Sequence, residues 1–244
     1  MTDQQIHDDV RDYYLRAATA GKDRDVDVLT DERWGTHLYD EASLFEVPEA
    51  AADLSMGCGN PYVLADLQDG DVVLDLGSGG GIDVILSAKR VAPSGKAYGL
   101  DMLPEMVEIA RKNAAEAGVT NVEFLQGLME DVPLPDASID AVISNCVISL
   151  APDKTPVFSE MARVLRVGGR IAVSDVVAEN GVSLDVSREE WVECGAGALQ
   201  QREYVTMLEA AGFEDVTVEL THQVGDGLRA GMIRGRKPVQ RRER

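Results

Sequence analysis

Apolar positions change their period along the chain. Near the start, Ile6, Val10, Tyr13, Tyr14 and Ala17 recur at helical spacing, and Thr2 with Gln5 has capping-box spacing. An amphipathic first helix is therefore expected. Residues 21–32 form a charged connection. Residues 34–61 hold neither period and are punctuated by Pro48, Gly57, Gly59 and Pro61, which predicts irregular backbone. From Asp71 onward short apolar runs alternate with helical stretches. The expected strands are 72–76, 96–101, 122–125, 139–144 and 170–177. The helices between them are 83–91, 104–117 and 153–166, the last closed by Gly168-Gly169. Such alternation predicts βαβ units and a parallel sheet. Residues 178–195 are an insertion of undefined form. A helix over 200–211 follows, then runs at 216–224 and 228–234 joined by Gly225-Asp226-Gly227, the signal of an antiparallel hairpin. The expected fold is α/β: a seven-stranded, mostly parallel open sheet with an antiparallel terminal hairpin. A helical and irregular N-terminal segment precedes it, and an insertion follows the fifth strand.

Charge narrows the classes. Lys plus Arg number 23 and Asp plus Glu 43, a net charge of −20. Such a body repels nucleic acid and anionic lipid. No apolar run is long enough for a membrane span, and the acidic start, MTDQQIHDDVRDYY, does not resemble a leader. Three scattered cysteines make no disulfide framework, so a cytoplasmic protein is expected. The basic tail from Arg234 reads as a solvated terminus or as an anion-binding arm. His7, His37 and His222 suggest no role.

The loop Asp75-Leu76-Gly77-Ser78-Gly79-Gly80-Gly81 follows the first strand. A dinucleotide fingerprint calls for glycine at 82, where Ile82 stands. Asp75 decides further. Pyrophosphate sites attract negative charge, which a carboxylate at the entrance opposes. S-adenosylmethionine carries an ammonium and a sulfonium and no phosphate, so an acidic entrance suits it. Asp101, ending the second strand, is placed to accept ribose hydroxyls; alternatively it caps the helix that begins near Pro104.

The segments VVLDLGSGGG, GLDMLPEM and ARVLRVGGRIAVSD resemble the class I S-adenosylmethionine-dependent methyltransferases, which implies a Rossmann-like fold. The resemblance places Gly77, Ser78 and Gly79 along the methionyl part of the cofactor, Asp101 on the ribose and Met102 on the adenine. Many relatives carry an acid after the glycine that follows the third strand; here Gln126-Gly127-Leu128-Met129 puts Leu128 there. Adenine recognition then falls to backbone or to Glu130. Asp75, Leu128, Met129 and Asn145 complete the candidate cofactor set.

Cys58, Cys146 and Cys194 show no metal-finger spacing. Each alone reads as a small buried hydrophobe. Their places suggest more. Cys146 follows the fourth strand at the sheet edge of the glycine loop, Cys58 lies in a glycine-rich turn before the first strand, and Cys194 lies in the insertion. Three converging thiols would select a soft, thiophilic centre. The motifs GCGNP, SNCVISL and CGAGAL resemble the arsenite methyltransferases. That resemblance implies trivalent arsenic as substrate, held by Cys146 and Cys194 with Cys58 as third ligand and disulfide partner. It also implies a thiol reductant, thioredoxin or glutathione. The alternatives are a methyltransferase acting on carbon, oxygen or nitrogen of a small metabolite, and a non-catalytic thiolate metalloid-binding protein. By segment, 1–61 would carry the first helix and an active-site cover with Cys58. Residues 62–178 would form the cofactor-binding core. Residues 179–244 would supply the Cys194 insertion, a helix and the hairpin of the same domain.

Overall fold

The computed structural model describes residues 2–20, 32–182, 191 and 197–239. The connection at 21–31, Cys194 and the end of the basic tail therefore lie outside the described residues, as does the side chain of Ala17.

Among the described residues eight strands form one sheet: β1 Val72–Leu76, β2 Lys96–Asp101, β3 Val122–Gln126, β4 Ile139–Asn145, β5 Leu165–Ala178, β6 Leu199–Gln200, β7 Glu214–Gly225 and β8 Leu228–Arg236. Their order is β3-β2-β1-β4-β5-β8-β7, with β6 pairing the end of β5. Strands β1 to β5 are parallel, while β8 runs antiparallel to both β5 and β7. The expected seven strands and terminal hairpin are present, and the two-residue β6 is the addition.

Helices on both faces bury the central strands, so these are apolar nearly throughout. Val73, Leu74 and Leu76 of β1 are fully buried. The helix Ile82–Arg90 packs on one face and Lys154–Val164 on the other, each adding to a separate apolar layer. Sheet order reverses at β1, whose neighbours are β2 and β4. A crevice outside the carboxyl ends of the strands at such a point is where open α/β sheets bind ligands.

Three expectations need correction. The stretch expected to be irregular, 34–61, contains a 3-10 turn Gly35–Leu38 and helices Glu41–Phe45 and Glu49–Asp53, with Pro61–Leu64 following. They are too short to show a period, but their caps are in the sequence. The Asp40 carboxylate accepts from Ser43 N at 2.8 Å, and Pro61 stands at a helix start. Second, the helix expected over 153–166 ends at Val164, and the chain joins the sheet at Leu165, which is fully buried. Between the pairs Ile139–Leu165 and Ala141–Arg170 the register slips, because Gly168 turns at φ +80; its N–H donates to Lys237 O, and Lys237 N donates to Gly169 O. Third, the basic tail begins as an anchored segment: Lys237 Nζ donates to Ala162 O and Leu165 O at 2.7 and 2.8 Å. The first helix, Asp3–Ala20, has the expected reciprocal Thr2 and Gln5 cap and buries Ile6 and Val10.

Candidate active site

The loop after β1 is held from below by β2: Gly77 N and Ser78 N both donate to Leu100 O, at 2.8 and 2.9 Å. Gly77 sits at φ +72, and a Cβ there would lie 2.5 Å from the Val147 methyls. Only glycine combines that conformation with that approach. The loop therefore packs directly against the turn that follows β4.

Acids gather beneath it. Asp75 is buried in the central strand, and its Oδ1 has no hydrogen-bond partner. Burial first, then the charges of Asp83 and Asp101, holds its pKa well above the usual carboxylate value. Asp101 Oδ2 accepts from Gly79 N and Oδ1 from Leu103 N, both at 2.9 Å. The helix Pro104–Glu116 has Leu103 at its N-cap and no side-chain cap, so Asp101 does not cap it; its carboxylate braces the turn before the helix and has lone pairs left for further donors. Burial raises its pKa as well.

Asp83 was not singled out from the sequence. It accepts the Tyr39 hydroxyl on both oxygens, at 2.9 and 2.8 Å, and an Asn145 Nδ2 proton at 3.2 Å. Burial pushes its pKa up to about 6, against the pull of those hydrogen bonds. Asn145 Nδ2 also donates to Gly59 O at 2.9 Å and contacts Tyr39 Oη at 3.1 Å, leaving its Oδ1 buried without a hydrogen-bond partner. Asn145 thereby ties the segment carrying Cys58 to the end of β4.

One cavity joins these parts. Asp75, Gly77, Ser78, Gly79, Asp101 and Asn145 line its polar side. Met102, Leu128 and Met129 line an apolar side, and Cys146 with Val147 lies at the end of β4. Three acids and no Lys or Arg stand around the glycine loop among the described lining residues. An orphaned buried carboxylate oxygen in such a place fits a cationic ligand and opposes a phosphate. The ammonium and sulfonium of S-adenosylmethionine match this donor set.

The first helix adds lining that the sequence did not reveal: His7, Val10 and Tyr14. His7 Nε2 lies 3.5 Å from Glu130 Oε1, so His7 has a place after all. Both Glu130 oxygens are buried without hydrogen bonds, and burial raises its pKa.

Cys58 and Cys146 are both buried and share one apolar cluster with Leu150, Val176 and Ala198. Cys146 adopts φ +60, a conformation costing a non-glycine residue about 1–2 kcal/mol, and its N–H donates to Ser174 O at 2.7 Å. Gly59 presses on the same residue, since a Cβ there would lie 2.3 Å from Ser174 Oγ. Both cysteine segments thus dock on β5 at Ser174. Cys58 does not itself line the cavity, and Cys194 lies outside the described residues. Among the described residues no group of three His, Cys, Asp or Glu side chains could hold a metal ion. No described helix is long and apolar enough to cross a membrane.

A methyltransferase-domain family profile matches residues 67–212. With the sheet order, the glycine loop and the acid-lined crevice, this makes the chain a class I S-adenosylmethionine-dependent methyltransferase. The arsenite methyltransferase of Halobacterium salinarum is 38% identical over 97% of this chain and 68% of its own length. That of Rattus norvegicus is 34% identical over 86% of this chain and 60% of its own. The crystal structure of an arsenic(III) S-adenosylmethionine methyltransferase from Chlamydomonas reinhardtii superposes with a TM-score of 0.71 at 36% identity, covering 82% of this chain and 73% of that one. The chain belongs to the arsenite methyltransferase family and spans about 60–68% of the length of these two curated relatives.

Proposed function

We propose that this chain transfers methyl groups from S-adenosylmethionine to trivalent arsenic held by its cysteine thiols. The observation that carries the reading is Cys146, a buried thiol in the wall of the same cavity as the glycine loop and the acids, with Cys58 in the adjoining cluster. When bound, S-adenosylmethionine supplies an activated methyl group on a sulfonium.

Asp75, through its unpartnered Oδ1, is assigned to the cofactor's ammonium, with Asp83 adding negative charge behind it. Asp101 would accept ribose hydroxyls while holding Gly79 in place. Gly77, Ser78 and Gly79 would follow the methionyl part, Met102, Leu128 and Met129 the adenine, and Asn145 the junction between the two sites.

Cys58, Cys146 and Cys194 are the assigned arsenic ligands. Arsenic(III) carries a lone pair and is itself the nucleophile. Sulfurs on one side leave that lone pair directed away from them, and the protein contributes alignment in a dry site, worth up to about 7–11 kcal/mol in favourable intramolecular cases. Transfer takes arsenic from the trivalent to the pentavalent state. Two thiols return two electrons as they form a disulfide, and a thioredoxin- or glutathione-type thiol clears it by exchange. The assigned compartment is the cytoplasm, where such reductants reside.

The test is turnover. Purified protein receives S-adenosylmethionine, a thiol reductant and either arsenite or a panel of small metabolites. Methylated arsenicals and S-adenosylhomocysteine should form together with arsenite. S-adenosylhomocysteine formed with a metabolite and none with arsenite would overturn the reading.

A further inference from the structure

Cys58 stands in a bend outside any helix or strand, so contacts from elsewhere in the chain set where its thiol lies. Both of its neighbours are held. Gly57 O accepts from Gly35 N at 2.8 Å, and Gly59 O accepts from Asn145 Nδ2 at 2.9 Å. A Cβ on Gly57 would lie 2.3 Å from the Asn145 amide carbon, so the backbone here lies flat on that amide. Gly59 also packs on Ser174, whose carbonyl holds Cys146 N. Met56 and Gly57 of the same segment line the cofactor cavity, as Asp83 and Asn145 do.

Tyr39 acts on this segment from two sides. Its backbone closes the turn Gly35–Leu38, whose first residue donates to Gly57 O. Its buried hydroxyl donates to Asp83 at 2.9 and 2.8 Å and accepts from Asn145 Nδ2 at 3.1 Å. The Asn145 amide has two protons and faces three acceptors: Gly59 O, Tyr39 Oη and Asp83 Oδ2. Because Tyr39 supplies Asp83 with a proton of its own, an Asn145 proton remains for Gly59. Without that hydroxyl the buried carboxylate keeps only the amide among these donors and draws it away from Gly59 O, since a buried acceptor left unmade is expensive.

We infer that Tyr39 is the positioning residue that brings Cys58 within reach of an arsenic atom held at Cys146, and so fits the site to a substrate with three exchangeable groups. This rests on the arsenic reading above. Cys58 and Cys146 already share one buried apolar cluster. Arsenite has three As–OH bonds, and each thiol that binds replaces one of them. The sulfur joins arsenic, the hydroxide leaves with the thiol proton as water, and arsenic stays trivalent. Two thiols leave one hydroxyl in an apolar surrounding, where an unsatisfied polar group is costly. The third thiol removes it. Monomethylarsenite has only two such bonds, so Cys58 and the network behind it have no hydroxyl to remove there. Tyr39 therefore acts on which arsenical is accepted rather than on methyl transfer itself.

The test compares the two arsenicals at saturating S-adenosylmethionine and reductant, so that any change at the shared cofactor site cancels. Tyr39→Phe keeps the ring and removes the hydroxyl. It should methylate arsenite about tenfold or more slowly, the scale of one hydrogen bond to a charged partner, and monomethylarsenite within about twofold of wild type. Titration calorimetry without cofactor should show the same split in Kd. Gly57→Ala, which presses a methyl group on Asn145, should give the split as well, and provides the reading if Tyr39→Phe does not fold. Cys58→Ser is the reference. If it shows the split while folded Tyr39→Phe slows both arsenicals equally or neither, Tyr39 is an ordinary core residue and the inference falls alone. If Cys58→Ser shows no split, Cys58 is not a third ligand and the inference loses its basis. Failure of wild type to bind and methylate either arsenical would overturn the arsenic reading and this inference with it.

Discussion

Replacing Asp75 with Asn should move stability and cofactor affinity in opposite directions. The substitution keeps an acceptor at the end of β1 and removes one buried charge. Without a cation in the cavity, ionised Asp75 is opposed by burial and by Asp83 and Asp101, which is why its pKa stands above the usual range. The folded state therefore holds that proton more tightly than the unfolded chain. The resulting penalty is absent below the unfolded pKa of about 3.9 and grows as pH rises through the folded value. Asp75→Asn should match wild type near pH 4 and exceed it in stability at pH 7.5, each kcal/mol raising Tm by about 2–4 °C. The cofactor should respond the other way. A hydrogen bond to a charged partner contributes about 1.5–3 kcal/mol, and tenfold in Kd is about 1.4 kcal/mol. Asp75→Asn should thus weaken S-adenosylmethionine about 10- to 150-fold. Thermal unfolding across pH in the absence of cofactor, with titration calorimetry at pH 7.5, measures both. A variant less stable than wild type at pH 7.5 would show that Asp75 braces the loop, and unchanged affinity would show that it does not meet the cofactor's cation.

Cysteine variants should separate by substrate: Cys146→Ser and Cys194→Ser should lose methylation of arsenite and of monomethylarsenite, whereas Cys58→Ser should keep some activity on the latter, whose two exchangeable positions two thiols saturate. Product analysis on both substrates decides, and a Cys194→Ser enzyme at the wild-type rate would remove Cys194 from the site. Gly77→Ala should cost about 2–4 kcal/mol in urea unfolding, from a left-handed backbone and a Cβ pressed on Val147; the double variant with Val147→Ala should recover part of it, and no recovery would mean that the clash is not the cause. Activity should survive EDTA without added Mg²⁺ and be inhibited by trivalent antimony or bismuth, as soft thiolates require; a Mg²⁺ requirement would contradict an all-thiolate site.

Which parts were legible in the sequence follows from the range over which each signal acts. Asp75 stands out because a lone acid in a fully apolar run is a local anomaly, and the glycines beside it mark the loop. The parallel core was legible for the same reason, since strands buried on both faces are short continuous apolar runs. The Tyr39–Asp83–Asn145 network was not, because Asp83 reads locally as an ordinary acid in the first turn of a helix and Tyr39 as one residue of an irregular stretch. Only the folded chain brings them together. The same holds for His7 beside Glu130 and for Tyr204 beside Asp175. The early strand start at Leu165 escaped because its residues keep helical spacing until Gly168, and tertiary burial of Leu165 overrides that pattern.

The division of labour in the molecule follows the same line. The parallel core supplies what any cofactor of this type needs: a reversal of strand order, a glycine loop held by Leu100, and acids without cations. Nothing in it selects arsenic. The thiols come from outside that common frame, Cys58 from the segment before β1, Cys146 from the first residue beyond β4, and Cys194 from the insertion after β5. Cys146 is the hinge between the two parts, because its positive φ departs from strand geometry as β4 ends, and its N–H is caught by Ser174 O. A strand-like residue 146 would point its side chain along the alternation of β4, into a packed layer. The backbone cost at one residue therefore goes with Cys146 standing in the wall of the same cavity as the glycine loop, and β5, through Ser174 and Asp175, is the strand that holds that turn.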